Sequence, residues 1–195
     1  MMSRTTALVL AGVVFSLMFG WFVFPALLYK SVEQPIQFSH AVHTGEAVGM
    51  KCEDCHAIRE DGRFSGIPNV QQCAGCHQEQ VGTSENEKKL VEEYVKKNRE
   101  VPWLVYARQP ENTYFSHVRH VKEGQLACER CHGPHGTSTE LRSYEENRIS
   151  GYSKDIWGSN IARIKFEPWQ GMKMDDCVAC HETKNAQRAC IDCHK

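Results

Sequence analysis

The motif Cys-x-x-Cys-His occurs five times in this chain, at Cys52–His56, Cys73–His77, Cys128–His132, Cys177–His181 and Cys190–His194, and the copies use all ten cysteines. This is the attachment motif of c-type haem. The two thiols add to the two vinyl groups on one edge of a porphyrin, and two intervening residues let both sulfurs reach that edge from one turn of chain. The adjacent His then lies over the ring face, where Nε2 can bind the iron. Paired cysteines also serve zinc sites, thioredoxin-like centres and disulfide frameworks, but none of these needs a His after each second Cys. His is ten of 195 residues, about one in twenty, so five such placements by chance are roughly a one-in-a-few-million event. The expected cofactors are five covalently bound haems c. Their thioether positions are Cys52, Cys55, Cys73, Cys76, Cys128, Cys131, Cys177, Cys180, Cys190 and Cys193, and their proximal iron ligands are His56, His77, His132, His181 and His194. A further haem without its own motif stays open.

The five remaining histidines are His40, His43, His117, His120 and His135. They match in number the distal ligands that five irons need, which predicts bis-histidine ligation throughout. The competing reading leaves one or two of them on the surface, with Met50, Met172 or Met174 or an open site in the distal place. All-His ligation points to lower potentials than His–Met ligation. Every motif ends in His, and spare histidines can close every site. The chain is therefore expected to be non-catalytic by itself, with no catalytic residue, and to transfer electrons.

Phe38-Ser39-His40-Ala41-Val42-His43 returns as Phe115-Ser116-His117-Val118-Arg119-His120, and each copy precedes a haem motif. This reads as an internal duplication. Residues 36–83 form a two-haem unit and residues 112–195 a three-haem unit with a long 133–176 insertion. On a helix, positions i and i+3 share one face. They cannot ligate one iron from opposite sides, so each histidine of a pair is expected to reach a different haem. By the same argument His135 is expected to serve a haem other than that of His132.

Residues 7–29 carry no charge. Such a run is long enough to cross a bilayer as a helix, and it lacks a convincing cleavage site. An uncleaved anchor is expected, with residues 1–6 in the cytoplasm and the 36–195 haem domain in the periplasm. Gly12, Ser16 and Gly20 form a small-residue stripe along it. A Pro-containing connector, 31–35, follows. Ser84 with Glu87 reads as a capping box opening an amphipathic helix over 84–101, about four turns long and stopped by Pro102, with Leu90, Val91, Tyr94 and Val95 on one face. Trp103 and Tyr106 are expected to cover haem edges. The 133–176 insertion, with Tyr144, Tyr152, Trp157, Phe166 and Trp169, is read as wrapping the haem cluster or docking on another subunit. The net charge of −1 excludes an electrostatic nucleic-acid binder. Haem propionates would add about ten negative charges, which favours a basic-faced redox partner. So many porphyrins in so short a chain predict a core made of haem and a fold that is mostly α and irregular.

Gly66-Ile67-Pro68-Asn69-Val70-Gln71-Gln72-Cys73, Pro102-Trp103-Leu104-Val105, Tyr114-Phe115-Ser116-His117 and Cys131-His132-Gly133-Pro134, together with the N-terminal helix, narrow the pattern. The chain resembles the multihaem cytochrome c subunit of the Qrc menaquinone reductase and alternative complex III family, along essentially its whole length. The haem and Phe-Ser-His-x-x-His motifs alone are shared with class III and c7-like cytochromes. The resemblance implies a single-pass inner-membrane subunit in a complex with a molybdopterin-oxidoreductase-like protein, an iron–sulfur protein and a polytopic quinone-binding subunit. It also implies a relay from a soluble periplasmic cytochrome, of the cytochrome c3 type, to menaquinone. The alternatives are the reverse flow of alternative complex III and a NapC/NrfH-like membrane-anchored quinol dehydrogenase. The second fits less well, because the NrfH type has a Met where this chain has Ile58.

Overall fold

The computed structural model describes residues 3–63, 65–107, 112–154, 167, 169–170 and 172–194. Its first element is helix α1, Arg4–Leu28, 25 residues with a mean hydropathy of 2.4 and none of its length buried. It starts ahead of residue 7 because Ser3 caps it, its hydroxyl accepting the Thr6 N–H at 3.1 Å. Pro25 has no N–H and its ring crowds the carbonyl one turn back. Over Phe19–Val23, just before it, the helix widens to a π turn closed by the Phe24 N–H on the Phe19 carbonyl. Leu8, Phe15 and Phe22 stay exposed. By length and composition α1 can cross a membrane.

The segment read as a plain connector is in part a strand. β1, Tyr29–Val32, pairs antiparallel with Tyr144–Asn147, with Lys30 opposite Glu146 and Val32 opposite Tyr144. The Lys30 ammonium meets the Glu146 carboxylate at 2.8 Å. One stretch of the 133–176 insertion thus folds back onto the end of the apolar helix. Trp157 and Phe166 lie outside the described residues.

Beyond β1 come short helical turns: α2, His40–Thr44; α3, Cys52–Cys55; α4, Val70–Ala74; and α5, Glu85–Lys89, which continues as a π turn over Leu90–Val95. The amphipathic helix is therefore shorter than 84–101. Asn98 takes a left-handed conformation, φ 47°, and the chain runs extended into Pro102. Its apolar face is as read: Val91 and Tyr94 are buried, in a small core with Ile36, Val70 and Val101. Trp103 packs on this core. The segment before α2 is tied down around it. The Gln34 side chain accepts the Leu104 N–H at 3.1 Å and donates to the Leu104 carbonyl at 2.9 Å, and Gln37 accepts the Leu141 N–H at 2.8 Å.

The second unit opens with a π turn, Val118–Glu123, then α6, Glu129–His132, a 3-10 turn, His135–Thr137, and the strand β2, Tyr144–Asn147. It ends with α7, Met174–Thr183, and α8, Cys190–Cys193. The Tyr114 N–H bonds the Cys193 carbonyl at 2.7 Å, bringing the last motif beside the start of its unit. Among the described residues the only sheet is β1–β2, and the rest is short helices and irregular chain.

Candidate haem-binding site

Each haem motif sits on about one helical turn. In four of them the histidine N–H returns to the carbonyl of the first cysteine: His56 to Cys52 at 2.8 Å, His77 to Cys73 at 2.9 Å, His132 to Cys128 at 3.0 Å and His194 to Cys190 at 2.9 Å. The fourth motif lies inside α7. This closure holds both thiols and the histidine in one small unit. No disulfide joins any two of the ten cysteines, and among the described residues no three His, Cys, Asp or Glu side chains converge on a metal-sized site. The arrangement suits thioethers better than zinc or a disulfide framework.

The histidine rings come together in opposed pairs. His40 faces His56 with centroids 6.5 Å apart, His43 faces His77 at 6.1 Å, His117 faces His132 at 6.3 Å, and His120 faces His181 at 5.9 Å. Two imidazoles bound across one metal, each nitrogen about 2 Å from it, would place their centroids roughly 6 Å apart. The donor set thus fits an axially ligated haem iron between each pair. The two members of each His-x-x-His face different motif histidines. His135 does not face His132 but stands 6.3 Å from His40, which already faces His56. Among the described residues no imidazole faces His194. Opposed imidazoles are therefore present at four of the five motifs.

Most rings are also held from behind. A metal-binding imidazole usually donates its second N–H to an oxygen, which fixes its tautomer and direction. Here Nδ1 of His43 lies 2.8 Å from the Ser39 carbonyl, that of His120 2.8 Å from Ser116, and that of His56 2.8 Å from Gly66. His181 uses the Gln187 carbonyl at 2.6 Å and His117 that of Arg63. Nδ1 of His40 lies 3.1 Å from the Ser138 hydroxyl, and that of His77 lies 2.9 Å from Oε1 of Glu87. In all seven this leaves Nε2 for a metal. The duplication is geometric as well. Phe38 meets His40 edge-on at 4.9 Å and stacks on His43 at 4.3 Å, and Phe115 does the same with His117 and His120 at the same two distances.

Burial, then the neighbouring His135, His56 and His43, lowers the pKa of His40 to about 4. Burial, then His117, also lowers that of His132. Both shifts favour the neutral ring, the form that can bind a metal. Burial raises the thiols of Cys55, Cys73, Cys128, Cys131 and Cys177, and the groups close enough to add to the rise include cysteines of other motifs: Cys55 for Cys73, Cys52 for Cys128, Cys180 for Cys131 and Cys193 for Cys177. The backbone agrees with this sequence of neighbours. The Ala41 N–H bonds the Ser138 carbonyl at 2.9 Å and the Thr44 hydroxyl donates to the Gly136 carbonyl at 2.6 Å, which sets the turn after the third motif against the helix whose His40 faces the first. The motifs follow one another in space as two, one, three, four, five.

Three contributors escape the sequence reading. The apparent capping box is not formed: Ser84 accepts the Asn86 N–H at 3.2 Å, and Glu87 turns instead to His77. Desolvation opposes its charge, but the Val81 and Gly82 amides and His77 hold its carboxyl below the usual range. Trp169 lies against Gly133, where a Cβ would come within 2.6 Å of its Nε1. Ser138 holds His40. A Glu at the third helical position looks the same whether it caps or reaches a histidine, so no local pattern separates the two roles. Tyr106, expected at a haem edge, lies under the Arg142 guanidinium at 4.4 Å.

Residues 25–105 match the class III cytochrome C family, and residues 113–195 match cytochrome c7 and related cytochrome c. The two matches divide the chain where its duplication does. Fold and site thus define a multihaem cytochrome c with covalently bound haem. The chain is also 40% identical to the menaquinone reductase multiheme cytochrome c subunit of Nitratidesulfovibrio vulgaris (strain Hildenborough), over 94% of its own length and 87% of that protein. It belongs to the family of that subunit.

Proposed function

We propose that the chain is the electron-relaying subunit of a membrane-bound menaquinone reductase complex, carrying five haems c between a soluble periplasmic cytochrome and partner subunits that meet the quinone. The observation that supports this best is the continuous row of opposed imidazoles, joined in twos by His40–His43 and His117–His120. When bound, each haem supplies a one-electron redox centre. His56, His77, His132 and His181 act as proximal ligands, with His40, His43, His117 and His120 opposite them. Each His-x-x-His turn holds two neighbouring sites at a fixed short distance. His194 would hold the fifth iron from its own motif. His135 lies between the first and third sites, beside His40. No side chain does acid–base chemistry, so catalysis belongs to the complex.

Helix α1 anchors the chain in the inner membrane, with the haem domain on the periplasmic side. The other subunits proposed are a molybdopterin-oxidoreductase-like protein, an iron–sulfur protein and a polytopic quinone-binding protein. Purification from membranes tests the reading. Iron–sulfur and polytopic proteins that co-purify, with menaquinone reduced by a reduced periplasmic cytochrome, are expected. A solitary chain that itself oxidises menaquinol would overturn it in favour of a NapC/NrfH-like quinol dehydrogenase. The intact complex reducing its cytochrome with menaquinol, and never the reverse, would overturn the direction.

A further inference from the structure

Among the described residues, seven histidines show an oxygen partner at Nδ1, and six of these partners are neutral: five backbone carbonyls and the Ser138 hydroxyl. The seventh is the Glu87 carboxylate on His77, at 2.9 Å. Glu87 is held in that position rather than swinging in solvent. Its Oε1 also accepts the Val81 N–H at 2.8 Å, and its Oε2 accepts the Gly82 N–H at 2.8 Å. The two side chains are only 22% and 13% exposed. Among the described residues no Lys or Arg forms an ion pair with Glu87, so its charge is directed at the imidazole.

A carboxylate behind a metal-bound imidazole draws its Nδ1 proton and makes Nε2 a stronger donor. A stronger donor and a nearby negative charge both favour the ferric over the ferrous state. We propose that Glu87 is a positioning residue for the second haem motif, and that it makes the haem at Cys73 and Cys76 the lowest in potential of those the motifs hold. The proposal rests on His77 being an axial ligand. It also places the low-potential site at one end of the row, since among the described residues the second motif has the first beside it and no other motif.

The test is a redox titration of the full-length, haem-loaded protein followed by absorbance and EPR, with the site assigned by its loss in Cys73→Ser. Glu87→Gln keeps an oxygen acceptor on His77 and removes the charge. The expected result is one potential raised by about tenfold in the ferrous-to-ferric ratio, about 59 mV for one electron. The other potentials, the haem mass and the low-spin state stay as they were. Glu87→Asp is a second route, because the shorter side chain draws the carboxylate back from His77 with its charge intact. It is expected to raise the same potential, and it decides the matter if Glu87→Gln does not assemble. Unmoved potentials with every haem retained and low-spin would overturn the role of Glu87 alone. A His77→Ala protein whose second-motif haem keeps its spin state and potential would overturn the ligand reading, and this inference with it.

Discussion

Seven of the eight opposed imidazoles are aimed by an oxygen behind them, so a single residue can be lost without the rest of its site. His120 faces His181 at 5.9 Å, while the candidate thioether positions of that motif are Cys177 and Cys180. His120→Ala is expected to leave covalent haem in place and convert one low-spin site to high spin, read by EPR beside the intact mass. Cys55→Ala, by contrast, should lower the mass by one haem. Gly133 carries a different constraint. Its φ is 80° and its ψ −179°, a region essentially confined to glycine, and a Cβ would also meet Trp169. Gly133→Ala is expected to cost about 1–3 kcal/mol, seen as a lower melting temperature. The spectrum at the third motif should change with it, since Gly133 adjoins His132.

Most elements of the haem domain are short turns of four to six residues, and their joints carry the stability. α5 with the π turn that continues it is the main exception. It brings Val91, 1% exposed, and Tyr94, 4% exposed, into the small core with Ile36 and Val70. Val91→Ala should destabilise the haem-loaded domain by about 2 kcal/mol through lost burial and a residual cavity. Urea unfolding read by fluorescence would measure it. The same helix presents Glu87 to His77, so loosening this element should also disturb the second haem site before the others.

At the scale of the whole molecule, charge and anchoring decide how the row of sites is used. The polypeptide carries a net charge of −1, and each bound haem adds two propionates. The loaded domain should attract a basic-faced cytochrome, and the rate of electron exchange with one should fall as ionic strength rises. A stopped-flow series in salt would check this, and a rate independent of salt would remove electrostatic steering. The β1–β2 pairing joins the end of α1 to residues 144–147 of the second unit, so the apolar helix is braced by the far half of the chain.

The five Cys-x-x-Cys-His motifs and the repeated Phe-Ser-His-x-x-His were legible in the chain because covalent attachment and i, i+3 geometry act over a few residues. The apolar run at 7–29 and the buried face of Val91 and Tyr94 were legible for the same reason, since helical periodicity is local. Long-range placement was not. The sequence could count five spare histidines, but only the fold puts four of them opposite motif histidines and sets His135 beside His40. The strand at Tyr29–Val32 needed a partner more than a hundred residues away. Ser84 and Glu87 met every local requirement of a capping box, yet Glu87 reaches His77 because the chain between them folds back and its amides at Val81 and Gly82 claim the carboxylate. The sequence by itself determined which groups are candidates to hold haem. The tertiary structure decided which groups face one another, because that depends on where distant segments are packed.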